Sequence, residues 1–150
     1  MANSNDSILT LDKSLNLLPN KPLLLFDGVC NLCSTEVQFL IKHDSEGKLM
    51  FTSQQSDKGQ AILKSLHINH LDLQTVILIE EGIVYTRSSA IIHTFNYLDG
   101  VWQFGKYLKI IPSFIADFFY KILAANRYKW FGKKEACWIP TPALRSRFWE

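Results

Sequence analysis

The chain has 150 residues, 47% of them hydrophobic, which is enough for one compact domain with its own core. No window approaches about 18 uninterrupted apolar residues, and no basic start leads into an apolar run. That argues against a membrane span and a signal peptide, and sets the expectation of a cytoplasmic protein. The net charge of +2 hides an asymmetry: residues 1–100 hold 7 Lys and Arg against 11 Asp and Glu, whereas residues 101–150 hold 9 against 3.

Residues 1–20 read as a flexible leader closed by Pro19 and Pro22. The apolar run at residues 23–26 is a buried strand. After it, Cys33, Val37, Leu40 and Ile41 fall on one helical stripe, and the helix ends near His43 and Asp44. Residues 48–53 predict a second strand, and residues 55–67 a helix with Ile62, Leu63 and Leu66 inward. The β-branched run at residues 75–79 predicts a third strand. Glu81-Gly82 turns it into a hairpin partner at residues 83–86. Ser88 is placed to cap the next helix, whose buried face would be Ile91, Phe95 and Leu98.

The order β-α-β-α-β-β-α over residues 23–99 implies a parallel first pair of strands and an antiparallel last pair. This is an α/β, thioredoxin-like core with a mixed four-stranded sheet and helices on both faces. The expected organisation is a single domain over 21–150: core 21–100, helical extension 101–137 with Pro112 as a first helical residue, and tail 138–150.

Three cysteines do not read as a disulfide framework in a compartment that keeps thiols reduced. Cys30 and Cys33 stand where a strand meets a helix. Cys30 falls at the helix N-terminus, where unpaired N–H groups and the dipole favour a thiolate, the attacking species in disulfide exchange. Cys33 lies one turn on, in line with the buried stripe, within reach of a bond to Cys30. The expected roles are Cys30 as a solvent-presented nucleophile and Cys33 as the shielded, resolving thiol. The plain alternative is two buried cysteines acting as small hydrophobes. Asp27 opposes a thiolate on Cys30 by its charge. It either takes a proton from Cys33 or accepts backbone hydrogen bonds in the Gly28 turn.

Two other chemistries fit less well. A structural zinc site usually shows two ligand pairs, and only His67 and His70 offer a second, so no metal is expected. His43 reads as an end cap of its helix, and His93 has no evident partner. The run "LLLFDGV" is similar to the haloacid dehalogenase phosphatases, but their second, acid-base aspartate is replaced by Val29.

The heptapeptide Asp27-Gly28-Val29-Cys30-Asn31-Leu32-Cys33 resembles the Asp-x-x-Cys-x-x-Cys signature of the DCC family, described as thiol–disulfide oxidoreductases of thioredoxin-like fold. The likeness continues through residues 75–78, 85–90, 125–128, Phe131-Gly132 and Cys137, covering roughly 21–137. It implies Cys30 and Cys33 as the redox pair. Thioredoxins and glutaredoxins carry a cis-proline before the third core strand, whereas here Gln74-Thr75-Val76 stands at that junction. A trans peptide is expected, with Thr75 facing the substrate. Arg87 would hold a carboxylate such as Asp27 or a substrate anion, and Ser88 would cap.

Residues 114–130 are apolar over a broad face and lead into a basic, aromatic stretch. A helix packed on the core with its basic end exposed is the plain reading. Contact with a membrane surface or a protein through 112–134 is the alternative. Aromatics interleaved with basic residues also suit nucleic acid, although none is expected as a partner. Cys137 reads as buried or structural, or as a third thiol of a redox relay. The sequence thus describes an enzyme without cofactor that exchanges with protein or low-molecular-weight thiols and disulfides. The competing description is a non-catalytic binding module using its 101–137 region.

Overall fold

In a computed structural model, which describes residues 18–68, 75–133, 135 and 140–149, the apolar run becomes the interior strand β1 (Leu23–Phe26). The order continues α1 (Asn31–His43), β2 (Met50–Ser53), α2 (Asp57–Ser65), β3 (Ile77–Glu80), β4 (Ile83–Thr86) and α3 (Arg87–Thr94). A 3-10 helix (Gly100–Ile110) and the long α4 (Ser113–Phe131) follow, with a last 3-10 turn at Pro142–Arg147.

The sheet order is β2-β1-β3-β4, with β1 parallel to β2 and antiparallel to β3, and β3 antiparallel to β4. Side chains alternate across a strand. Leu24 and Phe26 therefore join the core under α1, while Leu23 and Leu25 join the core under α2. The expected mixed sheet with helices on both faces is present. The last residues are drawn in as well: Phe148 is buried between Phe26 and Phe51, and the Trp149 amide donates to the Phe51 carbonyl at 2.7 Å.

Several boundaries are tighter than the sequence predicts, each for a visible reason. The second strand starts at Met50 because the amides of Lys48 and Leu49 donate to the Asp44 carboxylate at 3.0 and 2.8 Å. The second helix starts at Asp57 because Ser56 caps it, its Oγ accepting from the Gly59 amide at 3.0 Å. It ends early where His67 takes a left-handed φ of 54°. The third strand starts at Ile77, since the Val76 amide donates to the Tyr120 hydroxyl (3.0 Å) instead of a strand.

Other expectations need correction. Ser88 does not cap α3: Thr86 holds the N-cap position, and the Ser88 hydroxyl donates to Asp117 of α4. Ser88, Ala90 and Thr94 form the buried face of α3, with Ile91 and Phe95 only half-buried and Leu98 buried beyond the helix. The C-cap of α1 is Asp44, and the His43 ring packs against Phe39 and Trp102. His93 is stacked on Tyr85 at 3.8 Å. Pro112, predicted as a first helical residue, is instead the N-cap of α4, one place before the helix starts at Ser113.

The largest correction concerns α4. Its inward face is Tyr120, Leu123, Ala124 and Arg127, and Arg127 is its buried residue. The broad apolar face read as packed on the core, including Phe114, Phe118 and Phe119, is exposed. Residues 1–17 of the leader and His70, Gln74 and Cys137 lie outside the described residues.

Candidate active site

The turn leaving β1 delivers Cys30 to the head of α1. The Cys30 amide donates back to the Asp27 carbonyl at 3.2 Å, and Cys30 itself becomes the helix N-cap in extended conformation. Its Sγ accepts the Cys33 backbone N–H at 3.4 Å, and its carbonyl accepts from the Ser34 amide and hydroxyl, each at 3.0 Å. A sulfur that accepts a helix-terminal N–H is better as a thiolate. The Cys33 thiol, donating to the same sulfur, is the largest influence holding Cys30 down at about 6, from an ordinary 9.0. Burial works against this; the Cys33 amide and the Arg127 charge work with it. Cys33 is pushed strongly the other way by that shared hydrogen bond, by burial and by the neighbouring charges of Cys30 and Glu36. The two thiols, both free, are thus unequal in acidity.

Solvent access is not as predicted. Cys30 is 0% exposed and Cys33 4%. The segment just beyond α4 forms the roof: Lys133 bridges to Cys30 as a short antiparallel pair. The Asn31 side chain donates to the Phe131 carbonyl at 2.9 Å, and its amide to the Gly132 carbonyl at 3.5 Å. Gly132 turns with φ +83°, a conformation L side chains rarely adopt, and a Cβ there would meet Asn31 Nδ2 at 3.0 Å. Helix α4 ends where this roof begins.

Asp27 is buried and fully engaged. Oδ1 accepts from the Val29 amide (3.1 Å) and from Gln55 Nε2 (2.9 Å). Oδ2 accepts from Arg127 Nη2 at 2.8 Å and from the Tyr128 hydroxyl. Gln55 in turn accepts the Gly28 amide at 2.9 Å, which fixes the turn. Burial, then the bond to Asp27, holds the Tyr128 hydroxyl above the ordinary tyrosine range. Of the two roles predicted for Asp27, the turn acceptor is the one this geometry matches.

The cation opposite Asp27 is Arg127, not Arg87. Arg87 sits half-buried at the β4–α3 junction with φ 57°, donates its amide to the Val76 carbonyl at 3.2 Å, and forms no ion pair among the described residues. Thr75 directs its hydroxyl to Tyr120 at 3.4 Å and its carbonyl to Gln54. Val76 rather than Thr75 borders the cleft beside Cys33. No peptide bond among the described residues is cis, as expected for the step from Thr75 to Val76.

Sequence reasoning missed Glu36, Gln55 and Tyr120, and gave Arg127 and Tyr128 no role. Glu36 carried a usable signal: it is the lone acid on the α1 stripe of Cys33, Val37 and Leu40. With Cys33, Tyr120 and Arg127 it lines a cleft of about 30 Å3 between α1 and α4. Glu36 is half-buried; its Oε1 is buried and has no hydrogen-bond partner among the described residues. Burial first, and then the neighbouring Cys30 charge, pushes the carboxyl up to about 7. Among the described residues no group of three or more His, Cys, Asp or Glu could hold a metal ion.

Comparison with known proteins gives this arrangement relatives. The family model described as DCC1-like thiol-disulfide oxidoreductase matches residues 24–133. The chain is similar to "Uncharacterized protein YuxK" of Bacillus subtilis (strain 168), 45% identical over 87% of this chain and 95% of that one. It is also similar to "DCC family protein At1g52590, chloroplastic" of Arabidopsis thaliana, 36% identical over 78% of this chain and 69% of that one. No solved structure matches.

Proposed function

We propose, on the premise that this chain belongs to the DCC1-like thiol-disulfide oxidoreductase family, that Cys30 and Cys33 are its redox pair and cycle between dithiol and disulfide. Cys30 is the nucleophile. The observation that carries this reading is the sulfur's position at the helix head, where the Cys33 thiol and, more weakly, the Cys33 amide at 3.4 Å donate to it and make it the more acidic thiol. Its thiolate attacks one sulfur of a substrate disulfide, the other sulfur leaves as a thiolate, and a mixed disulfide forms on Cys30. Cys33 then attacks Cys30 and frees the second substrate thiol. Run backwards, the same steps oxidise a dithiol.

Cys30 does not meet solvent while residues 131–133 lie over it, so the roof has to lift for a substrate to reach it. It is held locally by the two Asn31 hydrogen bonds, each worth about 1 kcal/mol net, which makes a local opening inexpensive beside global unfolding. Substrates are protein or low-molecular-weight thiols and disulfides. The compartment proposed is the cytoplasm, where thiols are kept reduced and the cycle begins from the dithiol. No helix among the described residues is long and apolar enough to cross a membrane.

Mass spectrometry across a glutathione redox titration tests the cycle. The expected result is a reversible loss of two protons that disappears in Cys30→Ser and in Cys33→Ser. Two thiols that stay independent at every potential would overturn it. In Cys33→Ser, partners should stay trapped on Cys30.

A further inference from the structure

The resolving step has an unmet need. Cys33 is the less acidic thiol and must lose its proton in the cleft between α1 and α4, while the predicted acceptor, Asp27, already takes four hydrogen bonds. The charged and titratable groups around that cleft are Cys30 at the helix head, Cys33 and Glu36 on α1, and Tyr120 and Arg127 on α4. Arg127 carries no spare basicity. Tyr120 is held above the ordinary tyrosine value by burial, and its oxygen already accepts from Val76 and Thr75. Glu36 is the remaining acceptor. It follows Cys33 by three residues, so the two are neighbours on one helix face, and a helical side chain leans towards the N-terminus, here towards the dithiol. Its buried oxygen is uncommitted.

Resting on the exchange reading above, we infer that Glu36 is the proton acceptor for Cys33. In the mixed disulfide the Cys33 proton passes to the Glu36 carboxylate, directly or through water in the cleft. The Cys33 thiolate attacks Cys30 Sγ and a Cys30–Cys33 bond forms. The bond from Cys30 to the substrate breaks, and its electron pair leaves on the substrate sulfur. The substrate gains two electrons, the dithiol loses two, and Glu36 returns its proton to solvent or to the departing thiolate. A carboxyl that burial holds above its ordinary value is a better proton acceptor than an exposed one.

The test follows both steps with oxidised glutathione as probe. Glu36→Gln should leave formation of the mixed disulfide within a few-fold, slow its resolution by about a hundredfold, and remove the carboxyl's inflection from the pH profile of the resolution rate. Glu36→Asp, which keeps the carboxyl, should recover part of the rate. Equal resolution rates and pH profiles in Glu36→Gln and the parent would overturn the role of Glu36 while leaving the exchange reading intact. Failure of the parent to form any Cys30 adduct would overturn both.

A second observation is independent of the dithiol. In the 3-10 helix Gly100–Ile110, the residues Val101, Phe104, Tyr107 and Ile110 recur every third position and are between 57 and 82% exposed. At three residues per turn they form one apolar ridge. Phe114, Phe118 and Phe119 of α4 are likewise exposed. Lys106, Lys109, Lys121 and Lys129 are exposed along the same two elements, while Asp117, the sole acid between residues 101 and 133, is engaged by Ser88. Apolar side chains at solvent interleaved with cations match the chemistry of an anionic lipid surface. We propose that this face lies on such a surface.

Co-sedimentation should show binding to vesicles of phosphatidylglycerol and phosphatidylcholine in equal parts at least about tenfold tighter than to phosphatidylcholine alone. Salt and the pair Lys106→Glu, Lys109→Glu should weaken it. Binding to neither vesicle, or to both equally, would overturn the proposal. So would a stable dimer that fails to bind lipid and is dissolved by Phe104→Glu, since the ridge would then belong to a second copy.

Discussion

Asp27 stands three residues before Cys30 and Glu36 three residues after Cys33, and their hydrogen bonding differs sharply. Asp27 has a partner for each lone pair in use: a turn amide, Gln55, Arg127 and Tyr128. Glu36 has a buried oxygen with no partner among the described residues. The contrast teaches that burial alone does not decide what a carboxyl group does. Surrounded by donors and a cation it is an anchor, here tying the β1 turn to the end of α4. With a buried oxygen that no donor reaches, it resists ionising and becomes a proton acceptor.

The sharpest way to break this comparison is to strip Asp27 of its cation. Arg127→Met should cost about 3–5 kcal/mol in urea unfolding, because it leaves a buried carboxylate uncompensated. The double variant with Asp27→Asn should cost less than the two single changes together. A loss below about 1 kcal/mol would mean that Asp27 is no anchor.

Glu36→Gln should act in the other direction. The carboxyl sits near 7 in the folded chain against an ordinary 4.5, so between those values the folded state keeps a proton that the unfolded chain has released. Stability from this group therefore falls as pH rises from 4.5 to 7. Glu36→Gln removes that fall and should be more stable above pH 7 by up to about 3 kcal/mol, read from unfolding midpoints across pH.

Cys30 slopes oppositely. Its folded value of about 6 lies below the ordinary 9.0, so its contribution grows as pH rises between them and is lost as pH falls through 6. Cys33→Ala removes the thiol donor and should move the Cys30 midpoint upward, followed by ultraviolet absorbance of the thiolate. An unmoved midpoint would assign the acidity to the helix head alone. The smallest effect belongs to the roof. Asn31→Ala removes one hydrogen bond to Phe131 and should speed native-state alkylation of Cys30 by about fivefold, at a stability cost of about 1 kcal/mol.

Most of the scaffold was legible in the chain because local patterns determine it. The apolar run 23–26, the stripe of α1, the β-branched third strand and the Glu81-Gly82 hairpin each depend on neighbours a few residues away. Periodicity also located the cysteine pair at a strand-to-helix junction, and with it the inequality of the two thiols.

What the sequence could not determine are pairings across about a hundred residues: Asp27 with Arg127 and Tyr128, and Asn31 with Phe131. The choice of Arg127 over Arg87, the roof over Cys30, and the outward turn of the aromatic face of α4 all follow from how one helix docks. A helical pattern shows that a face is apolar but not which of two faces meets the core, because that is decided by the sum of contacts with the rest of the fold. The protonation chemistry belongs to this second class: Glu36 differs from any surface glutamate only in the α4 residues that close over it.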